Sequence, residues 1–381
     1  MSGAFITGVY PNVFENIGID KATIDKRAND IFMTLFYGSD DERLYHPVEP
    51  DMGYMVDTGN NDARTEGMSY GMMMCVQTDH KEEFDRLWKW ARTYMFLEKG
   101  PNAGYFCWSN ALDGTKNSGG AAPDGEEFFA MALFFASHRW GDGEGIFDYS
   151  KEACELLHRM IHKGENGEKG CPMFDPDNHY IKFIAEVAFT DPSYHLPHFY
   201  ELFGRWAYEE DREFFLAAAK ASREYLKKAC DVDTGLNPEY AEYDGTPYKK
   251  GKLRWGRHDW FYSDAYRTIT NISLDGVWFD ADAWEREEAK KYQKFFCETL
   301  GEDRWDHILL TDGTVLEDTV LHPTAVIATT AVASLINDDD NASFCVKKFW
   351  NTPLRTGERR YYDNCLYFFA FLALSGKYRI Y

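Results

Sequence analysis

No apolar run in this chain approaches the roughly 20 residues needed to span a bilayer, and no Pro-rich, Ser-rich or low-complexity stretch marks a linker. The first absence argues against a helical membrane protein; the second favours one domain over all 381 residues. Lys and Arg are scarce, 41 against 63 Asp and Glu, giving a formal net charge of −22. Phosphate recognition rests on clustered cations, so nucleic acid and anionic membranes are disfavoured as partners. The eight cysteines never form a CxxC pair and fall mostly within apolar helical patterns, which reads as reduced core residues and not as a disulfide framework. Met1-Ser2-Gly3-Ala4-Phe5 lacks a basic region followed by an apolar one. No signal peptide is expected, and the expected location is the cytoplasm.

Several chemical signatures are missing too. There is no GxSxG and no dinucleotide fingerprint, and Asn117-Ser118-Gly119-Gly120 lacks the Lys-Ser/Thr that would complete a phosphate loop. The pairs His195/His198 and His158/His162 come without HExxH framing or an evident third ligand. No metal and no cofactor are therefore expected.

Aromatic residues are abundant, at 17% with 24 Tyr and 11 Trp. Most belong to the core. The surplus fits rings that stack on a sugar's apolar C–H face.

Apolar residues recur at helical spacing between Gly/Pro/Asn/Asp clusters. One set of helices is charged on one face: about 22–38, 82–98, 148–162, 211–229, 283–299 and 342–350. A second set is apolar nearly all round and hence buried: about 66–79, 123–139, 191–206, 264–278, 322–336 and 363–375. Alternation of outer and inner helices predicts an all-α toroid, an (α/α)6 barrel formed by residues 1–381 as a single catalytic domain. Its inner helices would run parallel, gathering Glu66, Asp124, Asp191 with Tyr194, Asp264, His322 and Asp363 on one face. Long loops such as 100–122 and 231–263 enter that face, whereas Asp338-Asp339-Asp340 reads as a solvated loop.

The stretch Arg64-Thr65-Glu66-Gly67-Met68-Ser69-Tyr70-Gly71-Met72 places an acid in a first helical turn, capped by Thr65 or Asp62. Such an acid can simply complement the helix dipole. Gly67 and Gly71, one turn apart, cost about 1 kcal/mol each. They leave a bare stripe that a neighbouring chain or ligand can approach. Asp124 follows Pro123, which is ordinary capping chemistry, and Glu126 and Glu127 read as dipole or surface acids. Arg267, three residues after Asp264, shares its helical face and can keep it ionised.

Three acids, a tyrosine and an arginine in an aromatic-lined cup fit glycoside hydrolysis, which needs one protonated and one ionised carboxyl. The motifs Arg64 to Met72, Pro123-Asp124-Gly125-Glu126-Glu127, Asp191-Pro192-Ser193-Tyr194 and Ser263-Asp264-Ala265-Tyr266-Arg267 resemble those of glycoside hydrolase family eight. So do Leu321-His322-Pro323 and Arg359-Arg360-Tyr361-Tyr362-Asp363-Asn364, and the likeness is greatest to members that release xylose from the reducing end of xylo-oligosaccharides. The resemblance implies an (α/α)6 fold and inversion of anomeric configuration. Glu66 would be the general acid and Asp264 the general base. Asp124 would hold the distorted sugar, Tyr194 would place the water, and Arg267 would position Asp264. It also implies that Trp108, Arg64, Tyr105, Tyr361 and Tyr362 contact substrate, with Leu321 and His322 walling off the groove past the first leaving-side sugar. The expected partners are xylo-oligosaccharides, with the enzyme a monomer or homodimer. An endo-acting xylanase, glucanase or chitosanase of the same family is the alternative. A sugar epimerase would want paired cup histidines, and a non-catalytic sugar-binding protein would not need the acids.

Overall fold

The structure, a computed structural model, describes residues 3–249 and 258–381; residues 250–257 of the long 231–263 loop lie outside it. Six outer helices are α1 (Lys21–Tyr37), α3 (Lys81–Trp90), α5 (Tyr149–His162), α7 (Arg212–Ala229), α9 (Trp284–Lys294) and α11 (Asp340–Asn351). Six inner ones are α2 (Thr65–Thr78), α4 (Pro123–Trp140), α6 (Pro197–Trp206), α8 (Tyr266–Trp278), α10 (Pro323–Val332) and α12 (Arg360–Leu374). Each inner helix touches the next, and α12 returns to α2, so the inner ring closes. Outer helices α3, α5, α7, α9 and α11 each pack on the inner helix that precedes them in sequence, whereas α1 packs on α12 from the other end of the chain.

The two sets differ because their sequences differ. Helix α3 buries Phe84, Leu87, Trp88 and Trp90 and exposes Lys81 and Glu82. In α2, Met68, Met72, Met73 and Met74 are all fully buried. At about 1.5–3 kcal/mol for each such side chain, this burial outweighs the roughly 2 kcal/mol that Gly67 and Gly71 cost together. Helix starts are often fixed by aspartates: Asp20 accepts from the Thr23 N–H at 3.0 Å and Asp339 from the Ala342 N–H at 3.0 Å. Asp339 is thus a helix cap within the run taken for a solvated loop.

One inner element departs from expectation. The pattern over 191–206 predicts an unbroken helix, but Pro192–Tyr194 forms a 3-10 turn, and α6 begins only at Pro197. Proline without an N–H starts a helix readily but cannot continue one. The break leaves Asp191 and Tyr194 on a tight turn. Short strands line the same face. β1 (Tyr45–Val48) pairs antiparallel with β2 (Met52–Met55), and β3 (Ala63–Arg64) with β4 (Ser109–Asn110). β5 (Trp260–Phe261), β6 (His307–Leu310) and β7 (Val315–Thr319) form a third sheet. Among the described residues no helix is long and apolar enough to cross a membrane.

Candidate active site

Backbone pairing brings the first acid beside an exposed ring. Arg64 of β3 lies opposite Ser109 of β4, and the Thr65 N–H donates to the Trp108 carbonyl at 3.0 Å. Trp108 is 38% exposed, in a chain whose other large rings are mostly buried. The Arg64 guanidinium carbon stands 5.3 Å from its ring centre. Arg64 occupies the cap position of α2, and no side chain caps this helix. The expected caps are otherwise engaged: Thr65 is already helical, and Asp62 holds Arg64 at 3.0 Å and the Ser109 hydroxyl at 2.6 Å.

Glu66 accepts from the Tyr361 hydroxyl at 2.8 Å. Gly67 makes this contact possible, since a Cβ there would lie 2.7 Å from the Tyr361 hydroxyl oxygen. The bare stripe read from the sequence is therefore filled by a tyrosine of α12 at Gly67, and by Met55 and Leu87 at Gly71.

Arg267, which sequence spacing tied only to Asp264, joins four inner-helix starts. Its Nη1 donates to Glu66 Oε2 at 3.0 Å, to Asp124 Oδ2 at 3.2 Å and to the Tyr70 hydroxyl at 2.8 Å. Its Nη2 lies 3.1 Å from Asp264 Oδ1 and 4.0 Å from Asp191 Oδ2. Because the two terminal nitrogens of a guanidinium are covalently fixed, Glu66 Oε2 and Asp264 Oδ1 are no more than roughly 8.5 Å apart. That ceiling keeps the two carboxyls from lying farther apart than the span of about 6.5–9.5 Å of an inverting pair.

One cation among four carboxyls shapes the electrostatics. Burial pushes Glu66 up to about 7, against the pull of Arg267 and with help from the charges of Asp124 and Asp264. Asp124 is raised chiefly by burial, which Arg267 opposes. Asp191 is raised well above the carboxylate range by burial and by Asp264. Its Oδ1 accepts from the Ser193 N–H at 2.7 Å, while Oδ2 has no hydrogen-bond partner among the described residues.

Asp264 follows Ser263, a non-glycine residue at φ 46°. Left-handed backbone of this kind costs of order 1–3 kcal/mol and persists only where surroundings hold it. The Tyr362 hydroxyl does so, donating to the Ser263 carbonyl at 3.0 Å and lying 3.5 Å from Asp264 Oδ1. Tyr194 is buried, with its ring centre 5.5 Å from the Arg267 guanidinium carbon. Glu239 was not foreseen. It is raised well above the usual range by burial and by the Asp264 charge, and His258 Nδ1 sits 2.6 Å from its Oε2.

Leu321 is 46% exposed, and His322 stacks obliquely on Tyr362 with centroids 5.0 Å apart. His322 makes no capping bond to α10. Asp363, fully buried, takes that role by accepting from the Ala325 N–H at 2.7 Å. Its other oxygen lies 3.3 Å from His322 Nδ1 and accepts from Arg355, which also donates to the Leu321 carbonyl. Engaging Nδ1 leaves His322 Nε2 for another partner. Arg355 carries no motif of its own, whereas the polar start of α12 and the Arg359 to Asn364 motif both pointed to Asp363.

Three expectations are corrected. Tyr105 is fully buried and donates to the carbonyls of Arg159 and Cys171, both at 3.1 Å, so no face of it remains for substrate. Glu126 and Glu127 are not surface acids. Both are fully buried, Glu126 accepting from the Phe106 N–H at 2.9 Å and Glu127 from the Tyr200 hydroxyl. His158 and His162 do have a third donor nearby, Asp211, supplied by another helix start. His195 is spent on Thr190 and Ser222, at 3.1 and 2.8 Å.

Comparison with known proteins follows the same lines. A sequence profile described as glycosyl hydrolases family 8 matches residues 46–375. The reducing-end xylose-releasing exo-oligoxylanase Rex8A of Paenibacillus barcinonensis is 53% identical over 379 residues, spanning 100% of this chain and 98% of that protein. A reducing end xylose-releasing exo-oligoxylanase of Halalkalibacterium halodurans is 55% identical over 381 residues, 99% of this chain and 96% of the relative. The solved structure of Rex8A complexed with xylose superimposes with a TM-score of 0.97 at 53% identity, each chain covered to 100%.

Proposed function

The chain belongs to glycosyl hydrolase family 8, and from that premise we propose that it hydrolyses β-1,4-linked xylo-oligosaccharides and releases xylose from the reducing end. It is a glycoside hydrolase with an (α/α)6 barrel, and in this reading the whole chain is its catalytic domain. Glu66 protonates the glycosidic oxygen as the bond to the leaving xylose breaks. Water, placed by Tyr194, attacks the anomeric carbon from the opposite face, and Asp264 takes its proton. The configuration therefore inverts. Asp124 and Arg267 hold the distorted sugar and the two carboxyls in register, while Trp108 and Arg64 offer a platform beside the acid. The observation that carries this reading is Glu66 itself. Its buried carboxyl titrates near neutrality, as a general acid requires, and it shares one guanidinium with Asp124 and Asp264.

The exo preference is supported by Leu321 and His322, pinned by Arg355 and Asp363 at the end of the site nearest Tyr362. An endo-acting glycanase would need that end open. Eight unpaired cysteines are consistent with the reducing cytoplasm, where the substrates are short xylo-oligosaccharides and the enzyme acts as a monomer or homodimer.

The test is xylotriose labelled at its reducing end. Label is expected in free xylose, with the α-anomer appearing first at the new reducing end of the disaccharide. Label in the disaccharide overturns the exo assignment, and an initial β-anomer overturns inversion.

A further inference from the structure

Outer helix α5 carries His158 and His162 one turn apart, so the two imidazoles share a face. Their ring centres are 4.4 Å apart. Asp211, at the end of the Glu209–Asp211 turn that leads into α7, meets both: Oδ2 lies 2.8 Å from His158 Nδ1 and Oδ1 lies 2.8 Å from His162 Nε2. One donor atom from each residue lies within 4.8 Å of the others. Among the described residues this is the group of His, Cys, Asp and Glu side chains able to share one ion.

We propose that His158, His162 and Asp211 form a binding site for a divalent transition-metal ion of the zinc class, a structural site separate from the sugar site. Two imidazoles and a carboxylate are a borderline-soft donor set that suits zinc and leaves a fourth position for water. Bonds of about 2.0–2.2 Å in tetrahedral geometry put donor atoms roughly 3.3 Å apart, between the 2.8 Å contacts that the histidines make to the two Asp211 oxygens, which must open, and the 4.8 Å that bounds the donor set, which must close. Side-chain exposures of 44% and 35% give an ion access to the histidines and let them move.

Two further observations support the assignment. The Asp211 side chain is 0% exposed, and its ion-pair partners are the two histidines. A carboxylate so deeply buried is costly unless a cation is held against it, and a bound metal ion supplies one. The other ring nitrogen of His162 lies 2.9 Å from Glu165 Oε1. A carboxylate on the far nitrogen of a ligating histidine fixes its tautomer and raises its basicity, the usual outer shell of a zinc ligand. Helices α5 and α7 bracket residues 163–211, which include Asp191 and Tyr194. The ion would close that segment at its base without touching substrate.

Titration of the chelator-stripped full chain with zinc ions, followed by calorimetry and thermal unfolding, tests the proposal. One equivalent is expected to bind and to raise the unfolding midpoint. Glu165→Gln should weaken binding by about tenfold or more, and His158→Gln or His162→Gln should abolish it while xylose release stays unchanged. Melting of the stripped variants at the midpoint of the stripped wild type verifies that they fold. Tight binding retained in both histidine variants, or no binding to the wild type at micromolar zinc, overturns the assignment.

Discussion

Tyr361→Phe removes one hydroxyl and isolates the property on which the proposed acid depends. That hydroxyl donates to Glu66 Oε1 at 2.8 Å, and its bond holds the carboxyl pKa below where burial alone would put it. A hydrogen bond to a charged group is worth about 1.5–3 kcal/mol, and 1.36 kcal/mol is one pKa unit. Because the neutral acid can also accept through its carbonyl oxygen, the differential effect is about one unit. Loss of the donor favours the protonated form, so the Glu66 pKa should rise from about 7 to about 8. An acid catalyst works while protonated, and the alkaline limb of kcat/KM for xylotriose should move up with it. Relative to its own acid-side plateau, the variant should be roughly fivefold more active than the wild type at pH 8. A limb that stays put, or moves to lower pH, refutes the reasoning. A merely structural tyrosine would lower the plateau and leave the limb in place.

Four further outcomes follow from the same geometry. Glu66→Gln should cost about 10²–10⁴ in kcat and yet stabilise the fold. A carboxyl raised from 4.5 to about 7 gives stability that is full below its unfolded pKa and lost as pH rises through 7. The variant should therefore gain up to about 3 kcal/mol at pH 8 and nothing at pH 4, as denaturant melts would read. Asp264→Asn should lose a similar factor in kcat while still binding xylotriose in calorimetry. Gly67→Ala puts a Cβ 2.7 Å from the Tyr361 hydroxyl oxygen; displacement of that ring should cut kcat at least about tenfold and shift the alkaline limb as Tyr361→Phe does. The double change Leu321→Ala, His322→Ala should open the wall, so that labelled xylotetraose yields labelled xylobiose in product analysis.

The ring was legible because its two kinds of helix obey different burial rules, each visible locally. The pattern over 123–139 is apolar all round, and Pro123–Trp140 is helix; 211–229 alternates, and Arg212–Ala229 is an outer helix. What stayed hidden depends on partners distant in sequence. Nothing near Arg267 announces that its Nη1 reaches Glu66 and Asp124, 201 and 143 residues away. Tyr105 lies three residues before the exposed Trp108, but its own burial is decided by packing on Arg159 and Cys171. Asp211 is invisible as a partner of His158 until α5 and α7 are set side by side. The break before Pro197 was readable, since proline favours a helix start, but the apolar run across it concealed the turn.

The division of labour among the acids then follows from how deep each lies. A single guanidinium cannot balance Glu66, Asp124, Asp191 and Asp264 all ionised in a largely buried cluster, so protons must be held where a charge is least tolerated. Asp191, fully buried with an unpartnered Oδ2, is one such place, and Glu66, half on and half off near neutrality, is the next. Asp264 is the most open of the four, at 21% side-chain exposure, and takes Nη2 at 3.1 Å while the other close contacts crowd Nη1. Solvent and the less crowded side of the guanidinium are what a water-activating base needs. A proton held beside Tyr361 is what a leaving oxygen needs. On this argument the acid and base cannot exchange roles without exchanging their depths in the ring. Glu66→Asp, which draws the carboxyl back toward the helix and away from the glycosidic oxygen, should therefore lose activity that no change of pH restores.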